Sequence, residues 1–169
     1  MACRGVHFAL ESNDVAKLRA AGGNDEVVDI VFEEFEEQWD GQWLCQTDKA
    51  WDAIHRCLTN GLLETNGEPY PLALSILGGE QLYQSDSPYS QEYFICLVDA
   101  YRVSDVAEAL CAITEEDFRK RYFDLDPEQY DGDIGEEDWE YTWNWFEPLA
   151  TFFAKAAEAG RAVLFTVDQ

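Results

Sequence analysis

His55 is the residue whose type and spacing come closest to base catalysis. It follows Trp51 by one helical turn, and Asp48 lies seven residues upstream in DKAWDAIH. On one continuous helix these three share a face, and a carboxylate there could orient an imidazole for proton transfer. No nucleophile aligns with the pair: Cys57 is two residues on and points elsewhere around the helix. A core histidine bonded to a backbone carbonyl or a carboxylate is therefore the expectation, with His55 and Asp48 the weak catalytic alternative. Gly78-Gly79, after an apolar run, could turn backbone amides toward a phosphate. Two glycines without a following Lys fall short of a nucleotide fingerprint, so a tight turn using glycine's access to positive φ is expected. Trp51, His55, Gly78 and Gly79 together would define the cleft of an enzyme or small-ligand binder.

Metal chemistry has two candidates. His7, Cys45, His55 and Cys57 lack paired ligand spacing and would bind zinc only if folding brought them together. The segment DLDPEQYDGDIGEED (124–138) resembles a calcium loop. Setting either glycine at the sixth loop position puts Pro127 or Tyr130 first, where an Asp is needed. No metal and no cofactor is expected.

Charge carries a stronger signal. Eleven Lys and Arg stand against 35 Asp and Glu, a formal net charge of −24. Such a field repels phosphate backbones and anionic lipid, so neither nucleic acid nor a membrane is an expected partner; it attracts and steers basic proteins. The carboxylates cluster. Asp25–Asp40 holds eight and 124–140 holds nine, neither stretch with a Lys or Arg. Glu33, Glu34, Glu36 and Glu37 in the first, and Asp131, Asp133, Glu136 and Glu137 in the second, are the candidate partner-binding residues. A solvated face that only keeps the protein soluble is the competing explanation.

These groups must be positioned by a core, and 169 residues with 14% aromatics can build one. The five cysteines form no CxxC pair, and Cys96 and Cys111 in apolar segments read as small buried residues. With no apolar leader or membrane-length stretch, a reducing cytoplasm is the expected compartment. Val6, Phe8 and Leu10 alternate within a first strand, 3–10. Ser12 can cap a helix to Leu18, and Asn24 one to about Trp39, with Val28, Val31, Phe32, Phe35 and Trp39 as its inward stripe. A third helix runs from Thr47 or Asp48 to Leu58. The apolar runs 72–77 and 93–98 lack polar alternation and predict central strands. Ser104 opens a further helix. Thr114 with Asp117 resembles a capping box. The last helix, about 137–159, carries Trp139, Trp143 and Phe146, with Pro148 expected to kink or split it. Strand 162–167 ends the chain. The sum is a single α+β domain over 1–169, with a mixed sheet of about four strands packed by amphipathic helices.

Several segments together resemble the YfbM-like family, a bacterial domain of unknown function: CRGVHFAL, DKAWDAIHRCLTNG, PLALSILGGE, YFICLVDAYRVSDVAEAL with ITEEDFRKRY, and FFAKAAEAGRAVLFTVD. The resemblance spans nearly the whole length and implies a small α+β fold. It implies no activity, cofactor or catalytic residue. By analogy with other small acidic families, an immunity- or inhibitor-like role toward a basic partner is the sharpest form of a binding function. The expectation is a non-enzymatic protein-binding module.

Overall fold

The computed structural model describes residues 3–85 and 93–168. Five strands form one sheet in the order β2-β1-β5-β4-β3: β1 Gly5–Leu10, β2 Leu44–Asp48, β3 Glu80–Gln81, β4 Tyr93–Val98 and β5 Ala162–Asp168. Every neighbouring pair is antiparallel, so the sheet is not mixed. All six positions of β1 are buried because helices cover both faces of the sheet. On one face Val6, Phe8, Leu10, Ile95, Leu97 and Leu164 meet Leu18 of α1 (Ser12–Ala20) and Val27, Val31 and Phe35 of the next helical segment. On the other, Ala9, Cys96, Val98, Val163 and Phe165 meet α3 (Trp51–Leu58), α4 (Ala100–Cys111) and α6 (Glu136–Glu158). The α+β class is as expected, and strands β1, β4 and β5 lie where alternation and apolarity put them.

The run 72–77 is not a strand. Leu72–Ser75 forms a 3-10 turn followed by a further turn, with Ala73 N–H bonded to Pro69 O (3.0 Å) and Gly78 N–H to Ala73 O (2.9 Å). Its residues 73–77 are buried, and burial from all sides leaves the same unbroken apolar signature in a turn as in a central strand. A strand not anticipated from the sequence, β2, pairs with β1 on the side away from β5, and there Cys45 and Thr47 point inward. It occupies residues through Asp48, so α3 begins only at Trp51.

The acidic helix departs from a simple amphipathic wheel. Helix α2 (Asn24–Ile30) continues as a π-helix over Val31–Glu36, closed by an i→i+5 bond from Glu37 N–H to Phe32 O at 2.8 Å. The wider turn keeps Val27, Val31 and Phe35 inward at four-residue spacing and turns Phe32 out, 52% exposed. Trp39 lies beyond the helix with φ 44° and is also exposed. Cap assignments shift slightly: Glu11 caps α1, Gly23 precedes α2, and Asp99 rather than Ser104 leads into α4. The Thr114–Asp117 capping box opens α5 (Glu115–Phe123) as expected, with Asp117 N–H donating to Thr114 Oγ1 at 3.1 Å. Cys111 is exposed, because Val103, Val106, Ala107 and Leu110 form the inward stripe of α4 and Cys111 falls off it.

Gly78 and Gly79 serve close approach, not positive φ. A Cβ on Gly78 would lie 2.7 Å from the Ala73 carbonyl and 2.9 Å from Gly67 Cα, and one on Gly79 would lie 2.7 Å from Leu97 O. These obstacles are backbone atoms, which cannot rotate away. Gly78→Ala is expected to cost about 1–3 kcal/mol by forcing the 3-10 turn off its packing. A lower urea midpoint at unchanged slope is the readout; an unaltered midpoint would show that the segment re-forms freely.

Candidate functional site

The proposed pairing of Asp48 with His55 does not form. Asp48 ends β2 with φ 44°, so no helix spans the seven residues between them. Its carboxylate accepts from Tyr141 Oη at 2.9 Å and lies 3.3 Å from Arg4 Nε. His55, with no exposed surface, turns Nε2 to Glu64 O at 2.9 Å. A carbonyl can only accept, so Nε2 carries the proton and Nδ1 is the bare nitrogen. Burial, the dominant cause, pushes the His55 pKa down to about 4. Trp51 is also buried and donates its indole N–H to Cys3 O at 3.1 Å. With Gly78 and Gly79 packed against backbone, neither Trp51 nor His55 presents a side chain to solvent.

His7 and Cys45 do face one another, as partners in the β1–β2 register. His7 is committed to Ser75 O at 2.7 Å. Burial raises the Cys45 thiol to about 11 and the Cys57 thiol to about 12, which disfavours the thiolates zinc requires. Among the described residues no group of three or more His, Cys, Asp or Glu is disposed to hold a metal. In the acidic loop the carboxylates brace the chain instead: Asp126 accepts from Glu128 N–H at 2.9 Å, and Asp138 accepts the phenols of Tyr122 (2.5 Å) and Tyr130 (2.9 Å). Those phenols are held above their usual range, by burial first and by the Asp138 bond second. Among the described residues no helix is long and apolar enough to cross a membrane.

The two carboxylate clusters fall on opposite sides of the sheet. Glu33, Glu34, Glu36 and Glu37 ride the π segment over one face. Lys17 Nζ sits 2.6 Å from Glu34, and Thr166 Oγ1 donates to Glu36 at 3.4 Å. Asp131, Asp133, Glu136 and Glu137 are exposed around the N-terminus of α6, in the layer on the other face; Glu136 pairs with Arg119. Beside them Asp133, Glu137, Asp138 and Tyr141 line an open cavity of about 630 Å³. A helix N-terminus favours negative charge, which explains this clustering locally.

Hollows flank the acidic helix on both sides, and the sequence reading missed them. One, about 160 Å³, is lined by Phe8, Phe35 and Trp43 with Asp14, Glu34, Asp40 and Arg161. There Trp43 is covered by the protein's own cations, Arg161 at 3.9 Å and Lys155 at 4.3 Å from the ring centroid. The other, about 340 Å³, lies between the π segment and strands β4 and β5. Finding it from sequence would have required recognising the π turn that exposes Phe32.

An open five-stranded antiparallel sheet between helical layers, with buried histidines and acidic outer faces, defines a small α+β class. The chain belongs to the family of the domain of unknown function DUF1877, whose model matches residues 1–166. It is similar to a protein of unknown function from Escherichia coli, YfbM, known from its crystal structure. The identity is 17%, covering 97% of this chain and 99% of that one with a TM-score of 0.67, which speaks for a shared fold alone. No curated protein matches the chain.

Proposed function

We propose that this chain is a non-enzymatic protein-binding module that captures a basic partner, in its sharpest form an immunity- or inhibitor-like one. The observation that supports this reading is the one-signed surface of the α2–π segment, where exposed Glu33 and Glu37 stand with Asp25, Glu26 and Asp29. From Ala20 to Asp48 no Lys or Arg is present to neutralise them. Charge of this density acts at a distance, raising encounter rates with cationic surfaces. The histidine that could have served catalysis is enclosed and bonded to a backbone carbonyl, which favours binding over turnover.

Neutralising Glu33, Glu34, Glu36 and Glu37 together to Gln is expected to slow association with a poly-lysine probe several-fold at low salt. Raising ionic strength to about 0.3 M should erase the difference, because the screening length then falls below about 8 Å. The dissociation rate should move less, as exposed rim charges act chiefly on encounter. Stopped-flow rates at two salt concentrations measure all three quantities. Identical association rates for the two proteins at low salt would leave the carboxylates a solubility role only.

A further inference from the structure

Where the π segment meets the sheet it leaves a groove instead of a sealed seam. The cavity of about 340 Å³ has Ile95 of β4 at its floor and Val31 with half-buried Val28 along its wall. Phe32 stands at its mouth, half exposed because the π turn directs it there. Asp29 and Glu36 contribute carboxylates to the lining. An exposed aromatic beside an apolar hollow is surface that gains on being covered, at a scale that fully buried side chains reach inside a core. Local expansions to π geometry occur often at functional positions, since they hold a side chain off the regular stripe.

The rim decides what can cover it. Asp29 and Glu36 line the groove, exposed Glu33 and Glu37 follow along the same segment, and the two cations of α1, Lys17 and Arg19, are already engaged: Lys17 by Glu34, Arg19 by Glu80 and Asp99. Anionic ligands are repelled. A second copy of this chain would bring a net charge of −24 against an equal charge. The complementary ligand combines cationic flanks with an apolar centre.

We infer that this groove receives an apolar side chain from a Lys- or Arg-flanked segment of a protein partner. The inference rests on the basic-partner reading above and adds to it the apolar anchor and its location. Charge brings the segment in, and insertion beside Phe32 sets how long it stays.

Two short synthetic peptides of equal positive charge separate the contributions: one in which lysines flank a central Leu-Phe pair, and one with Ser-Ser in its place. By titration calorimetry at low salt, the Leu-Phe peptide is expected to bind about tenfold tighter or better. Phe32→Ala, a change at an exposed position that leaves the core stripe of Val27, Val31 and Phe35 in place, should remove most of that advantage while sparing the Ser-Ser affinity. The fourfold Glu→Gln variant should weaken both peptides alike. Chemical-shift changes should centre on Val28, Phe32 and Ile95. Equal affinity of the two peptides for the unmodified protein would overturn the groove assignment and leave the acidic-surface reading standing; binding of neither would overturn both. A preference that survives Phe32→Ala without shifts at Val28 or Ile95 would place the anchor elsewhere. Self-association abolished by Phe32→Ala would assign the groove to a second copy and also overturn the proposal.

Discussion

Lowering the pH from about 7.5 to about 5 is expected to remove about 4 kcal/mol of folding stability, carried by His7 and His55. His7 lies in β1 with its ring against Phe165 (4.8 Å between centroids), Phe152 and Phe153, and donates Nε2–H to Ser75 O. His55 lies in α3 and donates to Glu64 O. Burial is the first cause in both and lowers each pKa from 6.5 to about 4 in the folded protein. Well above pH 6.5 both rings are neutral folded or unfolded, and pH has no purchase on them. Below it, the unfolded chain takes up protons that the folded protein refuses, so stability falls as pH falls, and the loss is complete near pH 4. Each unit is worth about 1.36 kcal/mol per group, hence about 2 kcal/mol from each histidine at pH 5. The window from pH 6.5 to 5 is the one in which both histidines gain charge in the unfolded chain while the folded rings stay neutral. Urea unfolding across it should show a slope approaching two protons taken up per molecule. His55→Gln keeps an N–H donor for Glu64 O, so it should lower the baseline by about 1–3 kcal/mol yet halve the slope. Stability that stays flat from pH 6.5 to 5 would mean that the two rings are hydrated in the folded state.

The same two histidines show where sequence stops being informative. The burial of His55 was expected from its helix stripe and that of His7 was not, and the partners, Ser75 O in the 3-10 turn and Glu64 O in a loop, are backbone groups that carry no side-chain signature. Strands with alternating or uniformly apolar residues, Val6-Phe8-Leu10 and Tyr93–Val98, were legible because local pattern and final environment agree. The run Leu72–Leu77 was not, since pattern reports burial and cannot tell a covered turn from a covered strand. Strand β2 escaped notice because its inward residues, Cys45 and Thr47, are small or polar, while the following Trp51–Leu58 stripe invites extending the helix backward through Asp48. Pro148 was expected to kink or split α6, and the helix is not split: it runs from Glu136 to Glu158 with Pro148 inside it. The carbonyl that loses its partner belongs to Asn144, an exposed position where water can replace the missing N–H.

Of the candidate site, the charge was legible and the shape was not. Counting carboxylates locates both acidic faces, since Asp and Glu without local cations must lie at the surface. A helical wheel, however, assumes an i→i+4 ladder. With Phe32 placed inward by that assumption, the acidic helix reads as having one sealed apolar side and one wet side. The Glu37–Phe32 backbone bond changes that balance, and the face that looked purely polar acquires an aromatic edge.

Phe118→Ala is expected to cost about 3–5 kcal/mol and to lower the melting temperature by about 10 °C or more. Helix α5 is mostly charged, EEDFRKRYF, and only Phe118 and Tyr122 bury. Phe118 has no exposed surface; it stacks on Phe146 (centroids 4.2 Å apart, rings 12° from parallel) and touches Trp139 and Trp143 at 5.8 and 5.7 Å. Truncation therefore opens a cavity among three aromatic rings that cannot collapse into it without leaving their places on α6. Phe118→Leu keeps most of the volume and should cost less, so the gap between the two variants measures the cavity. The damage should also be directional. Tyr122, one turn further along α5, holds Asp138 at the start of α6, where Asp131, Asp133, Glu136 and Glu137 are displayed. Loosening α5 should raise hydrogen exchange first in α5 and in the 124–138 loop, while the α2–π segment across the sheet keeps its protection and its association rate with a cationic probe, measured well below the melting point. Uniformly increased exchange in both layers would show that the two acidic faces share one cooperative unit and cannot be disabled separately.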